Sequence, residues 1–140
     1  MTTFSIKRLV EFRDTDAAGI VHFSVFFNYM EAAEHALLRS VGMSVFLKHE
    51  GTDLSWPRVA VNCEYDAPVR FEDEVEIAVS ISRLGGKSVS YDFVMSVAGR
   101  RCAHGAITAV CCQLGADHAP IPIVIPDSIR EKLTPFVTAK

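Results

Sequence analysis

One helical pattern in a chain otherwise written in strands limits the possible folds more than any other feature of this sequence. Phe23, Phe26, Phe27, Met30, Ala33, Leu37 and Val41 recur at the three-and-four spacing of a helix, and Ala32, Ala36 and Leu38 widen the apolar surface. Such a helix is buried on most of its sides. Ser24 is placed to cap it and Gly42 to stop it, and a second, shorter helix is expected from Ser44 to about Lys48. Phe4, Ile6, Val10 and Phe12 alternate as an opening strand. Beyond Trp56-Pro57, period two returns in Val59–Asp66, Glu74–Ser82 and Ser88–Val97, and Cys102–Leu114 is apolar or small on both faces, as a central strand is. The run Ile121–Ile125, broken by Pro120, Pro122 and Pro126, suits a sheet edge, and Asp127 can cap a short tail helix. The predicted class is α+β, one antiparallel sheet wrapped around one long central helix in a single domain spanning 1–140. A sheet of this kind leaves an edge open, so pairing with another copy is expected.

Composition narrows the function classes. With 49% hydrophobic and 22% charged residues the chain is expected to fold throughout, and its net charge of −3 argues against nucleic acid as a partner, which needs clustered Lys and Arg. No apolar run approaches the roughly 20 residues that span a bilayer, so no membrane association is expected and the localisation reads as cytoplasmic. The four cysteines, Cys63, Cys102, Cys111 and Cys112, form no CxxC pair and show no histidine spacing suited to zinc. They read as small hydrophobes in a reducing compartment, with no metal and no cofactor implied.

The chemistry concentrates in "DTDAAGIVHF", residues 14–23, at the entrance of the long helix. A helix start needs one capping side chain. This one offers Asp14, Thr15 and Asp16, followed by small residues that let other atoms approach. A carboxylate beside a helix N-terminus is kept ionised by unpaired N–H groups and the positive dipole end. The residues alone also allow the plainer reading that both aspartates only order the turn.

The stretch "FRDTDAAGIVHFSVFFNYMEAAEHALLRSVG", supported by "VNCEYDAPVRFEDEVEI" and by the element order over essentially the whole chain, resembles the 4-hydroxybenzoyl-CoA thioesterase-like family of hotdog-fold enzymes. The resemblance implies a hotdog fold, a homodimer or a homotetramer built as a dimer of dimers, and hydrolysis of an acyl-CoA substrate at the dimer interface. It places the catalytic carboxylate at Asp16 and a carbonyl-polarising backbone N–H near Phe23, with Asp14 structural. Around Asp16, Gly19 leaves room for a thioester and Thr15 holds the turn. His22 either contacts substrate or packs against the loop. Asn62 and Glu64, on the polar face of a strand, and Lys87, near a turn with Arg70, Arg100 and Arg101, are further substrate-binding candidates; for Lys87 and the arginines the ligand would be the CoA phosphates. Two other functions stay open: a hotdog enoyl-CoA hydratase or dehydratase using Asp16 and His22, and a non-catalytic acyl-CoA-binding protein, which would need an output module for which 140 residues leave no room.

Overall fold

The computed structural model describes residues 3–138. Its main sheet has five antiparallel strands: β1 (Phe4–Leu9), β4 (Arg58–Tyr65), β5 (Glu74–Leu84), β6 (Ser88–Val97) and β7 (Arg100–Val110), in the order β1-β5-β6-β7-β4. The long helix α1 (Val25–Ser40) lies across one face of it. A second sheet, β2-β3-β8-β9, is formed by β2 (Leu47–His49), β3 (Thr52–Ser55), β8 (Cys112–Leu114) and β9 (Pro120–Pro122). The tail helix α2 is Asp127–Leu133. Among the described residues no helix is long and apolar enough to cross a membrane.

Alternation decides which strand residues meet the helix. Val75, Ile77, Val79 and Ile81 on β5, Val89, Tyr91, Phe93 and Met95 on β6, and Ala103, Ile107 and Ala109 on β7 are all buried, and α1 sends Phe26, Met30, Ala33 and Leu37 into the same core. Gly105 lies between β4 and the helix with no room for a side chain: a Cβ there would collide with the Asn62 carbonyl oxygen and press on the Met30 sulfur. The exit of α1 is closed by Gly42 at a positive φ of 78°, with Gly42 N–H donating to Arg39 O and Met43 N–H to Leu38 O, a Schellman arrangement.

Four expectations are corrected. Ser44–Lys48 is not helical, because Glu50 and Gly51 both take positive φ and turn the chain into a β2–β3 hairpin, Leu47 opposite Leu54. Cys102–Leu114 is not one strand: Cys111 N–H turns aside to the Lys87 carbonyl, and Cys112 onward joins the second sheet. Ser24 occupies the N-cap position without a side-chain cap, since its backbone is already helical and its hydroxyl bonds His22 instead. Asp127 opens α2 as its first residue, with Pro126 at the N-cap.

Candidate active site

The quoted turn leaves β1 through a short 3-10 turn, Phe12–Asp14, and re-enters the core at Val21, whose N–H donates to Val69 O at 2.7 Å. Two bridges, Thr15 with Val21 and Ile20 with Arg70, pin the loop to itself and to the segment that follows β4. Gly19 takes φ +78°, which this tight reversal requires, and its N–H reaches Asp16 O at 2.9 Å.

The three polar side chains of the turn divide their labour. Asp14 accepts from Glu11 N–H at 2.9 Å and from the Tyr29 hydroxyl at 3.2 Å, tying the turn to α1. Burial, reinforced by the Asp14 charge, pushes the Tyr29 hydroxyl far above its ordinary range, so it acts as a proton donor only. Thr15 donates to Phe12 O at 2.7 Å. Asp16 accepts one bond, from Ala18 N–H to Oδ1 at 2.8 Å, and among the described residues no group donates to its Oδ2. It is half-buried and lines a cavity of about 370 Å³.

Phe23, Phe26, Tyr65, Pro68 and Val69 supply most of the apolar wall of that cavity. Phe23 is 63% exposed although aromatic. Tyr65 fixes it: the Tyr65 hydroxyl donates to Phe23 O at 2.8 Å, joining the end of β4 to the helix entrance. Among the described residues the Phe23 N–H donates to no protein acceptor. A free N–H at an uncapped helix start and a carboxylate with an open oxygen thus border one apolar slot.

Asp66, on the rim, sits in a charged cluster. His104 bonds Asp66 Oδ2 through Nδ1 and Glu64 Oε2 through Nε2, each at 3.0 Å, and Arg101 Nε lies 3.0 Å from Asp66 Oδ2. The His104 hydrogen bond, ahead of the Arg101 charge, holds the Asp66 carboxyl below the ordinary range.

Of the sequence candidates, Asp16 and Phe23 meet at the cavity, while Thr15 and Gly19 shape the loop behind it. His22 does not line it: its Nδ1 is held by the Ser24 hydroxyl at 2.7 Å and its ring stacks on Phe23, centroids 4.4 Å apart. Asn62 and Glu64 project from the sheet face opposite the helix, because Val61, Cys63 and Tyr65 take the helix side. Lys87 lies in the β5–β6 hairpin, at the other end of the sheet from Tyr65. Within one protomer neither it nor Asn62 nor Glu64 reaches the cavity.

Sequence reasoning missed Tyr65 and Asp66 as site residues, and it missed an ion pair deeper in the molecule. Glu34, 2% exposed, gives both carboxylate oxygens to Arg58 at the start of β4, and Arg58 also reaches Glu31 at 3.3 Å. Burial pushes the Glu34 carboxyl up, against the pull of Arg58. A signal existed: Glu34 follows Met30 by four residues and so falls on the apolar stripe of α1. The cysteines offer no nucleophile here, since burial raises their thiol pKa values, that of Cys111 to about 11. Among the described residues no three His, Cys, Asp or Glu side chains converge to hold a metal ion.

Residues 10–133 match the model of the thioesterase-like superfamily. A protein of Aquifex aeolicus is 33% identical over 94 residues, which cover 66% of this chain and 71% of the relative. A 1,4-dihydroxy-2-naphthoyl-CoA hydrolase of Synechococcus elongatus is 28% identical over 98 residues, 69% of this chain and 71% of that one. Among solved structures, a gentisyl-coenzyme A thioesterase superposes with a TM-score of 0.80 at 29% identity, covering 92% of this chain and 98% of its own. The chain belongs to the thioesterase-like superfamily, as an acyl-CoA thioesterase of hotdog architecture.

Proposed function

We propose that Asp16 carries the hydrolysis of an acyl-CoA thioester while the Phe23 N–H receives the carbonyl oxygen. The observation behind this reading is that a carboxylate with an uncommitted oxygen and a backbone N–H without an acceptor border the same apolar cavity at the helix entrance. As general base, Asp16 takes a proton from water as the water oxygen attacks the carbonyl carbon. The oxyanion forms against the Phe23 N–H, and its collapse breaks the C–S bond, the CoA sulfur leaving with the proton. As nucleophile, the same carboxylate attacks directly and water then opens the mixed anhydride. Both routes use Asp16 ionised and in this place. The hydratase alternative loses support because the His22 ring lies outside the cavity, engaged by Ser24.

The acyl groups named for the relatives, dihydroxynaphthoyl and gentisyl, make a hydroxylated aromatic acyl group the leading candidate. The active unit is at least a dimer formed through the free edge of β4, with a homotetramer as the larger assembly. What supports this is the exposed apolar face of that edge, where Val61 and Tyr65 are 50% and 47% exposed. The test is thiol release from a panel of aromatic and aliphatic acyl-CoAs, run beside enoyl-CoA hydration. Turnover confined to thioester cleavage and lost in Asp16→Asn is expected; an Asp16→Asn protein with near wild-type kcat would exclude Asp16 as the reacting group.

A further inference from the structure

Phe23 stands outside the hydrogen-bond ladder of α1 at both ends of its own backbone. In a regular α-helix the N–H four residues further on would donate to the Phe23 carbonyl. That group is the Phe27 N–H, and it turns to Ser24 O at 3.2 Å instead, while Val25 N–H takes His22 O at 3.0 Å. The first turn of the helix is wound tightly on either side of Phe23 and skips it. Among the described residues the Phe23 N–H has no acceptor, and its carbonyl has one donor, the Tyr65 hydroxyl at 2.8 Å. A single side chain from the end of β4 thus makes the one hydrogen bond of this backbone.

Tyr65 is itself held in place. Its backbone pairs with Ala103 of β7, and its ring meets Phe26 edge to face with centroids 5.2 Å apart. Phe26 is buried in the next turn of α1, so the tyrosine ring is braced from both the sheet and the helix. The peptide after Phe23 has little else to fix it. Its N–H, that of Ser24, reaches only the His22 ring, at 3.2 Å from Nδ1.

The same stretch of chain that carries Tyr65 also anchors Asp16. Asp16 N–H donates to Ile20 O at 2.9 Å, Ile20 bridges Arg70, and Val21 N–H donates to Val69 O at 2.7 Å. Asp16 and Phe23 are therefore each registered against residues 65–70, by separate bonds. An oxyanion donor lowers the barrier only if it is already aimed where the charge develops. The two peptides that flank Phe23 meet at its Cα, so turning the one that Tyr65 holds tilts the one that carries the N–H.

We propose that Tyr65 is a positioning residue of the thioesterase site: through the Phe23 carbonyl its hydroxyl aims the Phe23 N–H at the thioester and fixes that N–H relative to Asp16. The assignment rests on the reading of Asp16 and the Phe23 N–H given above. It separates Tyr65 from Pro68 and Val69, which line the same cavity as walls alone. A wall acts on substrate binding, whereas a positioning group acts on the step that builds the oxyanion.

The experiment is Tyr65→Phe in the full chain, which removes the hydroxyl and keeps the ring against Phe26. Kinetics use the acyl-CoA of the panel above that wild type cleaves fastest. The expected result is a kcat lower by about 10–100-fold, a KM within about twofold of wild type, and a thermal midpoint close to wild type. Infrared spectra then use the same compound, isotope-labelled at the thioester carbonyl carbon and bound to Asp16→Asn protein, where it persists. Its carbonyl stretch is expected below the frequency of the free compound, because an N–H donor polarises the bond. In Asp16→Asn/Tyr65→Phe the band should return towards the free value, a change that a merely structural role would not produce. A KM raised with kcat unchanged, or a band left where Asp16→Asn alone puts it, overturns the assignment and leaves the Phe23 reading in place. A band in Asp16→Asn equal to the free one overturns the Phe23 reading, and the Tyr65 assignment with it. Wild-type protein that cleaves no acyl-CoA overturns the thioesterase reading on which both stand.

Discussion

Helix α1 holds one carboxylate at its entrance and another halfway along, and the two regions treat them in opposite ways. Asp16 accepts a single backbone N–H, stays half-buried, and faces an apolar slot open to a ligand. Glu34 is sealed in the core with both oxygens committed to Arg58. A carboxylate can attack or take a proton only where the fold leaves an oxygen uncommitted and a path to it. One whose oxygens are both held by a guanidinium serves to fix a helix against a strand. Asp14 differs from both: Glu11 N–H and the Tyr29 hydroxyl bond the same oxygen, Oδ2, tying the turn to α1, and Asp14 does not line the Asp16 cavity.

The sharpest way to break the comparison is to neutralise the open carboxylate. Asp16→Asn should lower kcat for the best acyl-CoA by about 10²–10⁴-fold with the thermal midpoint hardly moved, as followed by thiol release and calorimetry. Next is the closed one. Arg58→Met should cost about 3–5 kcal/mol in urea unfolding, because it strands Glu34 in the core, and adding Glu34→Gln should restore part of the loss. The pH dependence follows from the raised Glu34 pKa, which loses its main opposing pull when Arg58 goes. The native state then holds a proton that the unfolded chain has already released. Stability is fully present below the unfolded carboxyl pKa and falls as pH rises towards the higher folded value, so Arg58→Met should be least damaging in acid and most damaging near neutrality.

Asp14→Asn should be milder on both counts, about 1 kcal/mol of stability, with far more activity kept than in Asp16→Asn. If the two aspartates proved equally costly to kcat, their division of labour would fail. Thr15→Val, which removes one hydrogen bond to Phe12 O, should cost roughly 0.5–1 kcal/mol and leave KM near wild type.

Much of this was legible in the sequence. Period-two patterns located β4, β5 and β6 because each has one face against the helix, and the Phe26-Met30-Ala33-Leu37 stripe located α1 for the same reason. The excess of polar chemistry before that helix marked the Asp16 turn. The hairpin of β2 and β3 was not legible, because Leu47–His49 is too short to show a period and becomes a strand only by pairing with Thr52–Ser55. Tyr65 and Asp66 were visible as strand residues but not as site residues. Tyr65 joins the cavity through a contact with Phe23, 42 positions away, and Asp66 is held at the rim by His104 and Arg101.

The sequence by itself determined the long helix and strands β4, β5 and β6, which of their faces are apolar, and that a carboxylate stands at the helix entrance, since these follow from local spacing and residue chemistry. Only the tertiary structure decided which carboxylate stays open, which basic group closes Glu34, and which ends of the sheet Asp16 and Lys87 occupy. Those are matters of long-range pairing. The partner of each polar group lies tens of residues away along the chain, and nothing in the local pattern encodes the register that brings the two together.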